Sequence, residues 1–343
     1  MAIIKALGKK FLKTRPAASK TPLISFIVVV HKMPRQAENT LYTLSTRYQR
    51  NVSERDYEVI VVENRSDSLM DREKALSYGS NFRYFLREEA GKSPAGALNF
   101  GFSQALAPMI CIIIDGAQMA TPRVVEYALC AQRISPSALI AVPGYHLGPD
   151  KQDFSLTAGY DERAKKELLG TVDCKKNGYL LFEISCFSPG NKCGFFHPLM
   201  ECSCLFCSRE SFEKIGGADE RFNMPGGGML NLDLYRRLGM LPESKIIVLP
   251  GEGSFHQYHE GVTTMETGNN KALYASFNKQ YRELRGEEFR SPRKEPMLLG
   301  AVTYWAQDAF IKSSQNGINR FLRFQKHRKR EWSDDPDPDV TGK

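Results

Sequence analysis

Three segments are apolar at consecutive rather than alternate positions: "LISFIVVVH" (Leu23 to His31), "YEVIVVEN" (Tyr57 to Asn64) and "MICIIID" (Met109 to Asp115). A strand with one face in water alternates polar and apolar residues. A strand apolar throughout is covered on both faces, as in a parallel sheet. A shorter run, "FRYFL" (Phe82 to Leu86), reads as a further strand, and "ALIAVPGYH" as another. Helix-like segments lie between them: Arg35 to Tyr48, with Leu41, Leu44 and Tyr48 on one side, and Ala95 to Leu106. Thr121-Pro122 should open the next helix, with Thr121 as cap and Pro122 at its first position. Strands alternating with helices predict an α/β fold, Rossmann-like, with a mostly parallel sheet flanked by helices. Ligands of such sheets sit beyond the carboxyl ends of the strands. Two of the runs end there in a carboxylate, Glu63 and Asp115.

The second half is less regular. "SCLFCSRE" reads as a strand entering a helix, "MPGGGMLNLDLYRRLG" as a glycine loop feeding a helix, and "KIIVLP" as a strand. "GEGSFHQYHEGVTT" is a loop carrying His256 and His259. "ALYASFNKQYRELRG" and "MLLGAVTYWAQDAFIKSSQNGINRFLRF" both read as helical. The expected organisation is a basic tail over 1–22, an α/β domain over 23–268, a C-terminal helical appendage over 269–330 and a compositionally disordered tail over 331–343.

Of 343 residues, 42% are hydrophobic and 25% charged, as in a soluble globular protein. No apolar run approaches the roughly 20 residues that span a bilayer, and the first residues do not form a signal peptide, because Lys5, Lys9 and Lys10 break the apolar stretch. A cytoplasmic protein is expected. The net charge of +8 is concentrated at the two ends. Either both ends are solvated tails, or they make peripheral contact with an anionic membrane at its cytoplasmic face. No motif for nucleic acid is present. Among eight cysteines, Cys202, Cys204 and Cys207 cluster as "CSCLFC". The spacing is not that of two C-x-x-C pairs, and Cys202 and Cys204 should share one strand face, so free buried thiols are expected rather than a zinc site.

"AGKS" (Ala90 to Ser93) is not a P-loop, because position 86 is Leu86 where that motif needs glycine. No G-x-G-x-x-G follows the first strand. The order of the remaining motifs is informative: "VVENRS" closing the second strand, then "AGKSPAGALNFG", "IIIDGA", "IGGADERF", "GGGMLNLDLYRR" and a loop histidine. Over roughly Leu23 to Thr264 this order resembles the family 2 glycosyltransferases of the GT-A fold, in a form whose Asp-x-Asp motif is degenerate.

The resemblance implies a nucleotide-sugar donor, UDP-linked, and a divalent cation, Mn²⁺ or Mg²⁺, on its diphosphate. Asp115 would hold that cation, and small Gly116 and Ala117 would let the pyrophosphate approach. The motif's second Asp is replaced by Ala117, so His256 or His259 would complete the shell, imidazole suiting Mn²⁺ better than Mg²⁺. Glu63, Asn64 and Ser66 would meet the uracil or ribose, Lys92 a phosphate, and Asn99 would help hold the donor.

The family's usual general base, the Asp of a Glu-Asp pair opening a helix, falls on Asn231, which cannot take a proton. Asp233, matched to a later acid, is then the candidate base; the alternatives are a base elsewhere or a retaining reaction that needs none there. Apart from any such role, Asp233 reads as a helix N-terminal acid paired with Arg236 or Arg237. The implied activity is transfer of a hexosyl or related group to a hydroxyl of a glycan, lipid or other acceptor, as in polysaccharide biosynthesis. The alternative is a catalytically reduced domain that binds nucleotide-sugar or glycan without transfer.

Overall fold

A computed structural model describes residues 21–88, 91, 93–148, 162–196, 199–259 and 270–327. The basic N-terminal tail, Lys92 and the acidic C-terminal tail lie outside the described residues.

The apolar runs form the centre of a sheet. Strands β1 (Ile24–Val30), β2 (Tyr57–Asn64), β3 (Phe82–Arg87) and β4 (Met109–Ile113) pair in parallel in the order β4-β1-β2-β3. Beyond β4 the sheet continues through β9 (Leu205–Ser208), β6 (Ala138–Ala141), β10 (Lys245–Val248) and β12 (Met297–Leu298). Only β9 runs antiparallel to its neighbours. The architecture is the mixed α/β one expected: a mostly parallel sheet flanked by helices.

Burial explains the missing alternation. Phe26, Val28 and Val30 of β1 pack on one side with Ala37, Leu41 and Leu44 of helix α1 (Pro34–Leu44). Val125 and Ala128 belong to the same cluster; they lie on α4 (Val124–Ile134), which follows α2 (Arg72–Leu76) and α3 (Ala95–Gln104) in the chain. Ile27 and Val29 pack on the other side with Ala97 and Leu98 of α3. That second core also takes Leu230, Leu234 and Leu238 of α7 (Leu230–Met240), which follows α5 (Glu162–Gly170) and α6 (Arg209–Lys214). Helix α3 lies so close that a Cβ on Gly101 would collide with Ile27 and press on Val62.

A smaller sheet sits at the carboxyl edge of the large one, in the order β5 (Gln118–Ala120), β11 (Ser254–His256), β7 (Gly144–Leu147), β8 (Ser185–Phe187). Its apolar face is a stack of Phe187, Tyr145 and Phe255, with ring centroids 5.0 and 5.2 Å apart.

Local structure departs from the sequence reading at several places. "ALIAVPGYH" is two strands in two sheets, because Pro143 separates β6 from β7. Thr121 does not cap a helix: α4 starts at Val124, and the Thr121 hydroxyl donates to Glu252 at 2.5 Å. Part of the histidine loop is strand β11. After α8 (Asn270–Arg285), residues 297–298 add an edge strand to the large sheet, and α9 begins only at Gln307. Cys202 and Cys204 lie in opposite cores rather than on one face. None of the eight cysteines forms a disulfide.

Candidate metal and nucleotide site

Strand β4 ends at Ile113, and the turn after it delivers Asp115 to the carboxyl edge of the sheet. Asp115 Oδ1 accepts from the Ala117 N–H at 2.8 Å, so one oxygen caps the turn. The other oxygen faces two imidazoles. His256 Nε2 lies 3.2 Å and His259 Nε2 3.0 Å from Asp115 Oδ2, and the two nitrogens are 3.2 Å apart. Among the described residues this is the group of carboxylate, imidazole and thiol side chains that could hold a metal ion. Burial pushes the Asp115 carboxyl up, but the imidazoles of His259 and His256 outweigh it and hold the group well below the usual carboxylate range.

The spacing fits a cation. Ligands at right angles about an ion, each roughly 2.1–2.2 Å from it, stand about 3.0 Å apart. The three donor atoms, separated by 3.0–3.2 Å, therefore match one face of an octahedron and leave the opposite face for other oxygens. One carboxylate and two imidazoles favour Mn²⁺, Fe²⁺ or Zn²⁺ over Mg²⁺.

The histidines are held by backbone pairing and a set of amides. His256 ends β11, opposite Gln118 of β5 on one side and His146 of β7 on the other. The Gln257 N–H donates to Ala117 O at 2.9 Å, tying the histidine loop to the Asp115 turn. Helix α1 clamps the same loop: Gln36 Nε2 donates to Tyr258 O at 2.9 Å, Asn39 Nδ2 to Gln257 Oε1 at 2.7 Å, and Gln257 Nε2 to Gln36 O at 3.0 Å. The His146 and His256 rings lie 5.2 Å apart. His256 Nδ1 is buried without a hydrogen-bond partner.

Small residues beside Asp115 have an internal explanation. A Cβ on Gly116 would meet Val30 Cγ2 at 2.9 Å and Val29 O at 3.1 Å, and Ala117 is fully buried. The packing of β1 against the turn is sufficient reason for Gly116, and Ala117 is enclosed in the same core.

The other sequence candidates fall into distinct settings. Glu63 is buried at the end of β2, where its carboxylate accepts from the Met70 N–H at 3.0 Å and the Tyr84 hydroxyl at 2.5 Å. Burial raises its pKa, and those two bonds oppose the rise. Glu63 thus shapes the turn after β2. Beside it, Asn64 is buried and its Oδ1 has no partner. Ser66 closes a local turn, donating to Ser68 O at 2.9 Å. Asn99 is committed to the "IGGADE" turn: its amide donates to Ala218 O and Glu220 Oε1, each at 2.9 Å, and its oxygen accepts from the Ala218 N–H at 2.9 Å.

Asp233 is fully buried on the first turn of α7. Arg237 Nε donates to it at 2.7 Å, and Arg285 Nε and Nη2 at 2.6 and 2.7 Å. Arg237 also binds Gly217 O at 2.9 Å, and Arg285 pairs with Asp219 at 2.9 Å. Both oxygens are filled by guanidinium donors that lock α7, α8 and the glycine turn together. The partner expected from sequence, Arg237, is joined by Arg285 from 52 residues away. Asn231, two residues earlier, donates from Nδ2 to Glu201 Oε2 at 3.0 Å. Glu201 and His146 carry no signal in the sequence: the cysteines around Glu201 draw the eye, and His146 is one polar residue in an apolar strand.

No protein-family model matches the chain, and no curated protein is similar to it in sequence. Solved structures are similar to it. One is S. aureus TarS 1-349 in complex with UDP-GlcNAc, at 13% identity, covering 88% of this chain and 73% of that one, with a TM-score of 0.47. A second is the same protein in complex with UDP, at 12% identity, 90% and 88% coverage and a TM-score of 0.45.

Proposed function

We propose that this chain is a GT-A glycosyltransferase that moves a sugar from a nucleotide-sugar, UDP-linked, to a hydroxyl of a glycan or lipid acceptor with the help of a divalent cation. The observation that carries the reading is the convergence of Asp115, His256 and His259 at the carboxyl edge of a parallel sheet, where α/β folds bind ligands. A cation held there would neutralise the diphosphate and stabilise it as a leaving group. The histidines stand in for the missing second Asp, since position 117 is buried and cannot present a ligand.

Within this reading each residue has a task. Asp115 Oδ2 and the two imidazoles hold the cation. The unfilled buried oxygen of Asn64 accepts from a uracil N–H or a ribose hydroxyl. Glu63 holds the turn that presents Asn64, with Ser66 inside that turn. Asn99 fixes α3 against the glycine turn. Lys92 faces a phosphate. The basic ends assist peripheral contact with anionic lipid at a cytoplasmic membrane face. Among the described residues no helix is long and apolar enough to cross a membrane.

A second reading, a domain that binds nucleotide-sugar without transferring it, is favoured by the enclosure of Asp233 and the amide at Asn231. The two separate on one assay: release of UDP from a panel of UDP-hexoses and UDP-N-acetylhexosamines with Mn²⁺, water serving as acceptor. Slow metal-dependent release supports the transferase; tight binding with no release supports the binding domain.

A further inference from the structure

We propose that Glu201 is the general base of the transfer and that Asn231 positions it; this rests on the transferase reading above. Strand β9 runs antiparallel to β4 with Ile112 opposite Leu205. The chain entering β9 therefore passes the same sheet edge at which β4 delivers Asp115. Glu201 precedes Leu205 by four residues, and Asp115 follows Ile112 by three. Both carboxylates lie just beyond the paired stretch, at its ligand end.

The surroundings of Glu201 are the reverse of those of Asp233. No cation pairs with it among the described residues, and its one side-chain partner is the neutral amide of Asn231 on Oε2. Oε1 carries no hydrogen bond and is left for a hydroxyl. A wall fixes the side chain's path: a Cβ on Gly190 would stand 2.5 Å from Glu201 Cγ and 2.7 Å from Oε1. The Met200 N–H donates to Gly190 O at 3.2 Å and holds that wall in place. Asn231 Oδ1 is itself buried without a partner, a second empty acceptor beside the carboxylate.

A half-buried carboxylate with one neutral hydrogen bond contributes little to stability. Burial raises the Glu201 pKa, and the Asn231 amide only partly offsets the rise. That moves its proton affinity toward neutral pH, where a general base is most effective. In the step, the acceptor hydroxyl gives its proton to Glu201 Oε1 while its oxygen bonds to the anomeric carbon. The bond from that carbon to the diphosphate oxygen breaks, and its electron pair leaves with the nucleotide. The outcome is inversion.

The test uses the full chain with Mn²⁺ and whichever UDP-sugar of the panel it hydrolyses. Glu201→Gln keeps the shape and the Asn231 contact; UDP release should fall by about 10²-fold or more, with UDP affinity unchanged. Asn231→Asp places a second carboxylate beside Glu201, so the acid limb of the pH–rate profile should move to higher pH. A merely structural amide would leave that limb in place. The double variant Glu201→Gln/Asn231→Asp should regain activity over Glu201→Gln alone, because an acid again stands at the site. Parental UDP release by Glu201→Gln, or an unmoved acid limb in Asn231→Asp, overturns the assignment and leaves the transferase reading intact. A parental protein that binds UDP with Mn²⁺ but releases none from any donor overturns that reading, and the assignment with it.

Discussion

Asp233→Asn separates a structural carboxylate from a catalytic one. The substitution keeps the shape but leaves one oxygen where three guanidinium N–H groups now converge at 2.6–2.7 Å. One or two charge-assisted bonds are lost, depending on which carboxylate oxygen the amide nitrogen replaces, each worth about 1.5–3 kcal/mol. Removing one partner of a buried ion pair costs about 3–5 kcal/mol by a separate route. The two figures overlap, so a loss of about 3–5 kcal/mol is expected. Unfolding entropy of about 2.1 cal/mol/K per residue over about 280 described residues gives roughly 0.6 kcal/mol/K, and hence a fall in Tm of roughly 5–8 °C. Calorimetry reads the Tm, and UDP release well below the transition reads the activity of the folded fraction. Near-parental release with the lowered Tm is the expected result. An unchanged Tm with release reduced by about 10²-fold would refute the clamp and make Asp233 the base.

Gly101→Ala should destabilise the protein by about 1–3 kcal/mol through overpacking against Ile27 and Val62, despite alanine's better helix propensity; urea titration with an unchanged midpoint would contradict the close packing of α3. Glu252 is buried beneath Thr121 and Tyr179, and burial pushes its carboxyl up to about 7 against the hydrogen bonds it accepts. Its folded pKa lies above the unfolded one, so stability is present below the unfolded value near 4.5 and is lost as pH rises to about 7. Glu252→Gln should flatten that decline, which amounts to roughly 3 kcal/mol; an equal Tm slope in parent and variant between acid and neutral pH would count against it. Deleting residues 1–20 should weaken binding to anionic vesicles, most of all at low salt, and leave UDP release intact; equal vesicle binding would show that this tail plays no part.

The sheet was legible because β1, β2 and β4 each carry runs of consecutive apolar residues, and only burial on both faces produces that pattern. Asp115 was legible for the same reason, as a charge that closes such a run. Its partners were harder. His256 and His259 stand out as residue types, but the hydrogen bonds that aim them come from Gln36 and Asn39, more than 200 residues earlier. Asp233 shows the opposite limit. Its place at a helix start is plain in the sequence, yet its setting is decided by Arg285, which tertiary packing brings in from another helix. Gly116 reads in the sequence as room for a ligand, whereas its neighbour β1 already requires a glycine there. Glu201 had no local pattern at all, since its significance lies in facing Asn231 across the fold.

Metal-dependent donor binding at Asp115 is the property on which the proposed transfer most directly depends. Calorimetric titration of UDP into the parent should show binding with Mn²⁺ and little with excess chelator. Asp115→Ala should abolish the metal-dependent part while its Tm without ligand stays close to parental. UDP binding that is equal with Mn²⁺ and with chelator, or retained in full by Asp115→Ala, would contradict the central claim.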